Sequence, residues 1–134
     1  MPVTLVDTNV LLDIVTNDAT WYSSPIARLG EASLLDEVGV TDVVYAELSR
    51  RHEQVDDLNA VLDQAAIEVR HPERGALFLA ANAFQPYKAQ GGTKTGVLPN
   101  FFIGADVVIM GVPLLTRDGK RYRTYFPTLT LITP

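Results

Sequence analysis

The sequence predicts an α/β fold, a three-layer α/β/α sandwich around a mostly parallel sheet. Short apolar and β-branched runs occupy residues 2–8, 38–40, 112–116 and 129–133, and stretches with helical spacing lie between them. Strands that alternate with helices imply right-handed crossovers, which place helices on both faces of the sheet. A length of 134 residues suits one domain with its own core, so we expect a single domain over residues 1–134.

The first two thirds of the chain contain most of the predicted helices. The opening strand passes into a helix in which Leu11, Leu12 and Val15 share one side. Pro25 suits the first turn of the next helix. In order, the predicted elements are a strand at 2–8, a helix from Asn9, a helix at 22–37, a strand at 38–40, a helix capped by Thr41 or Asp42, and helices at 53–66 and 73–90.

The last third begins with a loop, "QGGTKTGVLP" at residues 90–99, which is rich in glycine. A helix is predicted from about Asn100 to Met110, and Asn100 has two interpretations. Its side chain either caps this helix or occupies a place in a set of acidic metal ligands. The remaining elements are a strand at 112–116, a short basic turn or helix at 117–126 and a closing strand at 129–133.

Composition excludes several classes of protein. The chain has no cysteine, so it has neither a disulfide framework nor a thiolate zinc site. No apolar run is long enough to span a bilayer and no signal-type segment is present, so we expect a cytoplasmic protein with no membrane partner. The net charge of −5 is uneven: residues 1–87 hold 14 acids and 5 Lys or Arg, whereas residues 88–134 hold 2 acids and 6 Lys or Arg.

Three acids are predicted to meet at one edge of the sheet. Asp7 ends the first strand, Glu47 lies in the helix after the second, and Asp118 follows the strand at 112–116. Ligands of open α/β sheets bind at the carboxyl ends of the strands. Carboxylates gathered there need a compensating cation, and Mg²⁺ takes one or two carboxylates plus waters and phosphate oxygens. Such a site can activate water to attack a phosphodiester.

Each acid also has a plainer interpretation. Asp7 suits the N-cap of the first helix, and Glu47 suits a solvated helix face. Asp118 lies in "RDGK", which is a favourable turn. The sequence alone leaves both sets of roles open.

Three segments together resemble PIN-domain ribonucleases, in particular the VapC-like toxins of bacterial toxin–antitoxin pairs. They are "VDTNVLLDI", "VVYAEL" and "GVLPNFFIGADVVIMGVPLLTRDGKRYRTYFP", in this order. The resemblance covers nearly the whole chain and implies a small PIN-like α/β/α sandwich. It also implies an endoribonuclease that depends on Mg²⁺ or Mn²⁺, a structured RNA substrate such as tRNA, a homodimer and a cognate antitoxin.

The resemblance assigns the family's four acidic positions in this chain. They fall on Asp7, Glu47, Asn100 and Asp118 as catalytic residues and metal ligands, with Asn9 and Thr116 in support. Position 100 departs from the family because it has an amide where an aspartate is usual. An amide lacks the charge and cannot act as a base, so we expect an intact fold, weak metal binding and reduced activity. A natural change and an engineered one are both consistent with Asn100.

The basic residues near the C-terminus are the candidate RNA-binding groups. Tyr122 and Tyr125 are available to stack on unpaired bases, but aromatic residues are more often part of a core, and we expect Tyr125 and Phe126 in the core. The residues expected to bind phosphates are Lys94, Arg117, Lys120, Arg121 and Arg123.

Two other functions compete with the nuclease. The first is a catalytically inactive PIN-like domain that binds RNA or an antitoxin. The second is an aspartate-nucleophile phosphatase, which requires a second aspartate where this chain has Asn9. Asp106 is not expected to replace the missing acid, because six residues of helix turn it away from Asn100. His52 and His71 lack partners at metal-ligand spacing and are expected on the surface.

Overall fold

Five parallel strands form one sheet in the order β3-β2-β1-β4-β5. The computed structural model describes residues 3–16, 37–89 and 98–133. The strands are β1 (Val3–Val6), β2 (Glu37–Thr41), β3 (Ile67–Arg70), β4 (Leu114–Leu115) and β5 (Leu131–Ile132). Helices flank this sheet, which confirms the predicted α/β sandwich.

Six helices are described, and most lie where the sequence predicts them. They are α1 (Thr8–Thr16), α2 (Asp42–Ser49), α3 (Val55–Gln64), α4 (Arg74–Ala89), α5 (Leu98–Met110) and α6 (Gly119–Tyr125). Most of the predicted helix at 22–37 lies outside the described residues, and its last residue, Glu37, begins β2. Most of the predicted loop at 90–99 also lies outside them, including Lys94.

The core is centred on β1 and β4, which pair with each other in the middle of the sheet. All four residues of β1 are buried, as are Leu114 and Leu115 of β4. Parallel strands covered on both faces consist of nearly continuous apolar residues, which is why both segments were recognisable in the sequence. No helix among the described residues is long and apolar enough to cross a membrane.

Strand β3 lies between residues 66 and 73, where the sequence predicted no helix or strand. Its sequence, "IEVR", alternates apolar and charged residues, and only Ile67 is buried. Among the described strands β3 pairs with β2 alone, at the edge of the sheet. Because this short edge strand has no continuous apolar run, its sequence could not be distinguished from the end of the helix predicted at 53–66.

A second core cluster joins α4, α5 and α6 through aromatic rings. Phe101 stacks on Tyr125 with ring centroids 4.3 Å apart, and it meets Phe84 edge to face at 5.2 Å. Gly104 lets α6 approach closely, because a Cβ atom there would lie 2.5 Å from the Phe126 ring. These contacts confirm the predicted core positions of Tyr125 and Phe126 and fix the beginning of α5 beside α6.

Candidate active site

Asp7 lies at the carboxyl end of the central strand β1 and is only 3% exposed. Its backbone N–H donates to the Leu115 carbonyl at 2.9 Å, which ties it to the end of β4. Three groups donate to its carboxylate: the Thr8 backbone N–H at 2.8 Å, the Thr116 hydroxyl at 2.8 Å and the Asn9 amide at 3.2 Å. Asn9 and Thr116, the two residues that the resemblance placed in support, both donate to the Asp7 carboxylate.

Burial raises the pKa of Asp7 above its ordinary value. Hydrogen bonds from Thr116, Tyr122 and the Thr8 backbone lower the pKa, while the negative charge of Glu47 raises it further. The groups that act on this carboxylate are thus neutral donors and another acid. A cation bound beside Asp7 would offset both its burial and its repulsion from Glu47.

Thr8 joins the two acids and was not identified from the sequence. Its backbone N–H donates to Asp7, and its hydroxyl donates to Glu47 Oε1 at 2.7 Å. Glu47 reaches this point from α2, the helix that follows the neighbouring strand β2. The available signal in the sequence was a hydroxyl residue directly after the acid that ends the first strand.

Asp118 lies at the margin of the site. Its backbone N–H donates to the Thr116 hydroxyl at 3.0 Å, and the Arg117 N–H donates to Asn9 Oδ1 at 3.2 Å. These bonds hold the segment between β4 and α6 against Asp7. The Asp118 side chain, 35% exposed, forms an ion pair with Arg121 at 3.3 Å. Arg121 thus neutralises one candidate metal ligand.

Asn100 does not cap α5, because that helix begins two residues earlier, at Leu98. Its Nδ2 instead donates to the Tyr122 hydroxyl at 3.1 Å. Tyr122 is completely buried, so the expectation that it stacks on bases was wrong. Burial and the nearby Asp7 charge hold the pKa of Tyr122 well above its usual value, so the hydroxyl keeps its proton.

The oxygen donors brought together at this site suit Mg²⁺ in chemistry. Asp7 and Glu47 supply two carboxylates joined by Thr8, and one or two are typical of a Mg²⁺ site that also binds waters and phosphate. Among the described residues, no group of three or more His, Cys, Asp or Glu side chains is placed to hold a metal ion. The contact that the Asp118 side chain makes is the ion pair between its Oδ2 and Arg121.

Asp106 lies apart from these acids, as its helical spacing predicted. The charges that act on its carboxyl group belong to Arg70, Asp42 and Glu73, and burial raises its pKa. Its Oδ2 has no hydrogen-bond partner in the described part of the chain. Asp42, one of the charges that act on Asp106, also contacts His71, whose Nδ1 lies 2.6 Å from Asp42 Oδ1 on the surface. Asp106 is therefore not a substitute ligand.

No protein-family model matches the sequence, and no curated protein matches it. Solved structures of VapBC proteins do match over nearly the whole chain. VapBC2 from Rickettsia felis, bound to a DNA fragment from its promoter, gives a TM-score of 0.74 at 15% identity and covers 98% of both chains. The chain has a PIN-domain fold.

Two further structures extend this likeness. VapBC-1 from nontypeable Haemophilus influenzae matches with a TM-score of 0.72 at 14% identity, over 98% of this chain and 97% of that one. VapBC-5 from Mycobacterium tuberculosis, a member of the VapBC family of toxin–antitoxin systems, matches with a TM-score of 0.57 at 20% identity, over 99% and 98%. All three structures thus share with this chain a fold in which Asp7 of this chain directly follows the central strand β1.

Proposed function

We propose that this chain is a metal-dependent endoribonuclease and the toxin of a toxin–antitoxin pair, with activity reduced by Asn100. The observation that carries the proposal is the pairing of Asp7 with Glu47 through Thr8 at the carboxyl end of the central strand. A PIN-domain fold surrounds this pair, and the similar structures are VapBC proteins. Its substrate would be a structured RNA such as tRNA, its site of action the cytoplasm, and its assembly a homodimer silenced by a cognate antitoxin.

Asp7 and Glu47 would hold Mg²⁺ or Mn²⁺, with Asp118 and Asn100 at the margin. A bound ion of this kind polarises a phosphodiester and lowers the pKa of a coordinated water. Thr8, Asn9 and Thr116 orient Asp7 for this role. Asn100 contributes an amide oxygen at most, because its nitrogen can only donate. The absent charge weakens cation binding, which is why we expect low activity.

The exposed basic residues of α6 would hold the RNA backbone beside these acids. Lys120 and Arg123 are exposed on this helix, and Arg117 lies just before it. Positive side chains next to an acidic pocket attract the phosphates that flank the scissile bond. Arg121 is paired with Asp118, so we expect it to contact phosphate only when that ion pair opens.

A second candidate is a PIN-like domain that binds RNA or an antitoxin without cutting. The contacts of two candidate ligands favour it: Asn100 donates to Tyr122, and Asp118 pairs with Arg121. The ion pair of Asp118 competes with metal binding, and Asn100 brings no negative charge to attract a cation. This candidate predicts RNA or antitoxin binding that is insensitive to EDTA.

Cleavage of total cellular RNA, with Mg²⁺ and with EDTA, tests the proposal. We expect Asn100→Asp to cut at least about tenfold faster than the unchanged chain, because it supplies the absent charged ligand. Asp7→Asn in the Asn100→Asp background is the matched control and should abolish cutting. If Asn100→Asp binds RNA and shows no Mg²⁺-dependent cleavage, the nuclease proposal fails and the binding domain replaces it.

A further inference from the structure

Arg121 forms an ion pair with Asp118, one of the acids that the proposed function places at the margin of the metal site. Arg121 Nη1 lies 3.3 Å from Asp118 Oδ2. Asp118 directly precedes α6 and Arg121 lies three residues later, a spacing that brings side chains together on a helix. The Asp118 side chain makes no capping hydrogen bond to α6. The helix therefore does not depend on this carboxylate as a cap, which leaves it available to a cation.

Backbone bonds hold Asp118 beside the buried acid Asp7. The Asp118 N–H donates to the Thr116 hydroxyl at 3.0 Å, and that hydroxyl donates to Asp7 Oδ2 at 2.8 Å. A single hydroxyl group thus separates the Asp118 backbone from the Asp7 carboxylate. The side chains of the ion pair are more exposed, at 35% for Asp118 and 39% for Arg121. The backbone of Asp118 is therefore fixed at the site, whereas its side chain can exchange one partner for another.

A divalent cation would compete with Arg121 for the Asp118 carboxylate. An ion pair exposed to this degree is weak, because water and salt screen its two charges. A divalent ion has twice the charge of a guanidinium group, and Mg²⁺ and Mn²⁺ take carboxylate oxygens as ligands. A cation bound beside Asp7 and Glu47 would also repel the positive charge of Arg121. Both effects act to separate Arg121 from Asp118.

The guanidinium group of Arg121 suits a phosphate once it leaves Asp118. Arginine binds phosphate and carboxylate groups through the same planar set of N–H donors. A second guanidinium group lies nearby, because a Cβ atom on Gly119 would be 3.4 Å from Arg123 Nη1. Arg123 thus folds back over the residue that follows Asp118. The beginning of α6 therefore carries two arginine side chains, of which Asp118 engages one.

We propose that Arg121 changes partner when the site binds its metal ion: it leaves Asp118 and binds a phosphate of the RNA. The inference rests on the proposed function, because it requires a divalent cation beside Asp7 and an RNA substrate. Without the cation, Arg121 neutralises Asp118 and does not contact RNA. Because coupling between two ligands is reciprocal, bound RNA strengthens cation binding by the same factor as the cation strengthens RNA binding.

Binding of Mn²⁺ to the full chain without RNA tests the competition, with free Mn²⁺ followed by its electron paramagnetic resonance signal. Arg121→Gln removes the positive charge and keeps a polar side chain. We expect it to bind Mn²⁺ about threefold more tightly, because it frees the carboxylate from a weak competitor. Arg123→Gln is the matched control: it removes the same charge from the same helix, and no ion pair of Arg123 is found within the described residues. The control should leave the affinity for Mn²⁺ unchanged.

Binding of total cellular tRNA at several salt concentrations tests the exchange, once in EDTA and once in Mn²⁺. In EDTA we expect Arg121→Gln to keep the slope of log affinity against log salt of the unchanged chain, because that arginine is engaged by Asp118. In Mn²⁺ we expect its slope to be smaller in magnitude by about 1, which corresponds to one lost phosphate contact. Arg123→Gln should show the smaller slope in both conditions. Electrophoresis after each measurement verifies that the RNA is intact.

Equal Mn²⁺ affinity in the two arginine variants would overturn the competition, and an Arg121→Gln slope that is the same fraction of the unchanged chain's in EDTA as in Mn²⁺ would overturn the exchange. Asp7→Asn separates these failures from a failure of the proposed function. If Asp7→Asn abolishes Mn²⁺ binding while the two arginine variants bind equally, the metal site stands and only the role of Arg121 fails. If the unchanged chain binds no Mn²⁺, the proposed metal site fails and the inference fails with it.

Discussion

Thr8 is a single residue that fixes the relation between two acids. Its N–H and its hydroxyl donate to different carboxylates, Asp7 and Glu47. Two like charges repel each other, and this repulsion is one of the causes that raise the pKa of Asp7. The two donors of Thr8 reduce that repulsion locally. They also hold one oxygen of each carboxylate beside the same residue.

Thr8→Val tests this role, because valine keeps the branched shape and loses the hydroxyl. We expect the affinity for Mn²⁺ to fall about tenfold and the free energy of unfolding to fall by about 1 kcal/mol. Calorimetric titration with Mn²⁺ and urea unfolding provide the two measurements. Thr124→Val, at an exposed threonine that bonds only to the Lys120 carbonyl, is the control. Equal Mn²⁺ affinity in both variants would rule out the role.

Residue by residue, the sequence located acids better than the groups that orient them. Asp7, Glu47 and Asp118 were predicted at one edge of the sheet because the carboxyl ends of parallel strands meet there and carboxylates gather around a cation; the structure joins the first two through Thr8. Thr8 and Tyr122 were not found in their present roles, because a hydroxyl becomes informative only once its partner is known. The partner of Tyr122 lies 22 residues away along the chain, and that of Thr8 lies 39 residues away.

Helix α6 is the element that brings positive charge to the site. It is short, it follows Asp118 directly, and Tyr122 anchors its buried side. Lys120 and Arg123 point to solvent on the same helix. The helix therefore joins the core on one side and presents cations on the other.

The double variant Lys120→Ala with Arg123→Ala tests α6 as the RNA-binding element. We expect weaker RNA binding and a plot of log affinity against log salt whose slope falls in magnitude by about 2, or about 1 for each cation removed. Filter binding at several salt concentrations measures both quantities. Arg74→Ala removes an exposed charge from α4 and should change neither. An unaltered slope in the double variant would assign RNA binding to another element.

At the level of elements, the sequence predicted the buried strands β1 and β4 but missed the edge strand β3 and the first residue of α5. Strands β1 and β4 consist of apolar and β-branched residues, so the sequence itself indicated that they are buried. β3 was not predicted because it depends on pairing with β2, and the sequence of the segment alone does not show that pairing. The beginning of α5 was placed at Asn100 because asparagine favours caps, although the helix begins at Leu98.

The stability of the whole molecule depends on pH through Asp106. The residue is 1% exposed, and burial raises the pKa of its carboxyl group above the ordinary value of 3.8. The folded state therefore retains this proton at pH values where the unfolded chain has lost it. The resulting stability is complete below about pH 4 and is lost as the pH rises through the folded-state pKa.

Asp106→Asn removes this dependence, because an amide stays neutral at every pH. We expect the variant to be more stable than the unchanged chain at neutral pH, and the difference to shrink as the pH falls towards 3.8. Urea unfolding across this pH range measures the effect. A loss of stability at neutral pH would mean that attraction to Arg70 outweighs the penalty of burial.

The position of β1 in the middle of the sheet affects when the site can exist. The hydroxyl donor of Asp7, Thr116, is synthesised 109 residues after it. The strand that pairs with β1 on that side, β4, is synthesised equally late. Contacts so distant in sequence form late during folding. On a ribosome, the carboxylate of Asp7 therefore stays without this hydroxyl donor until more than a hundred further residues have been added to the nascent chain.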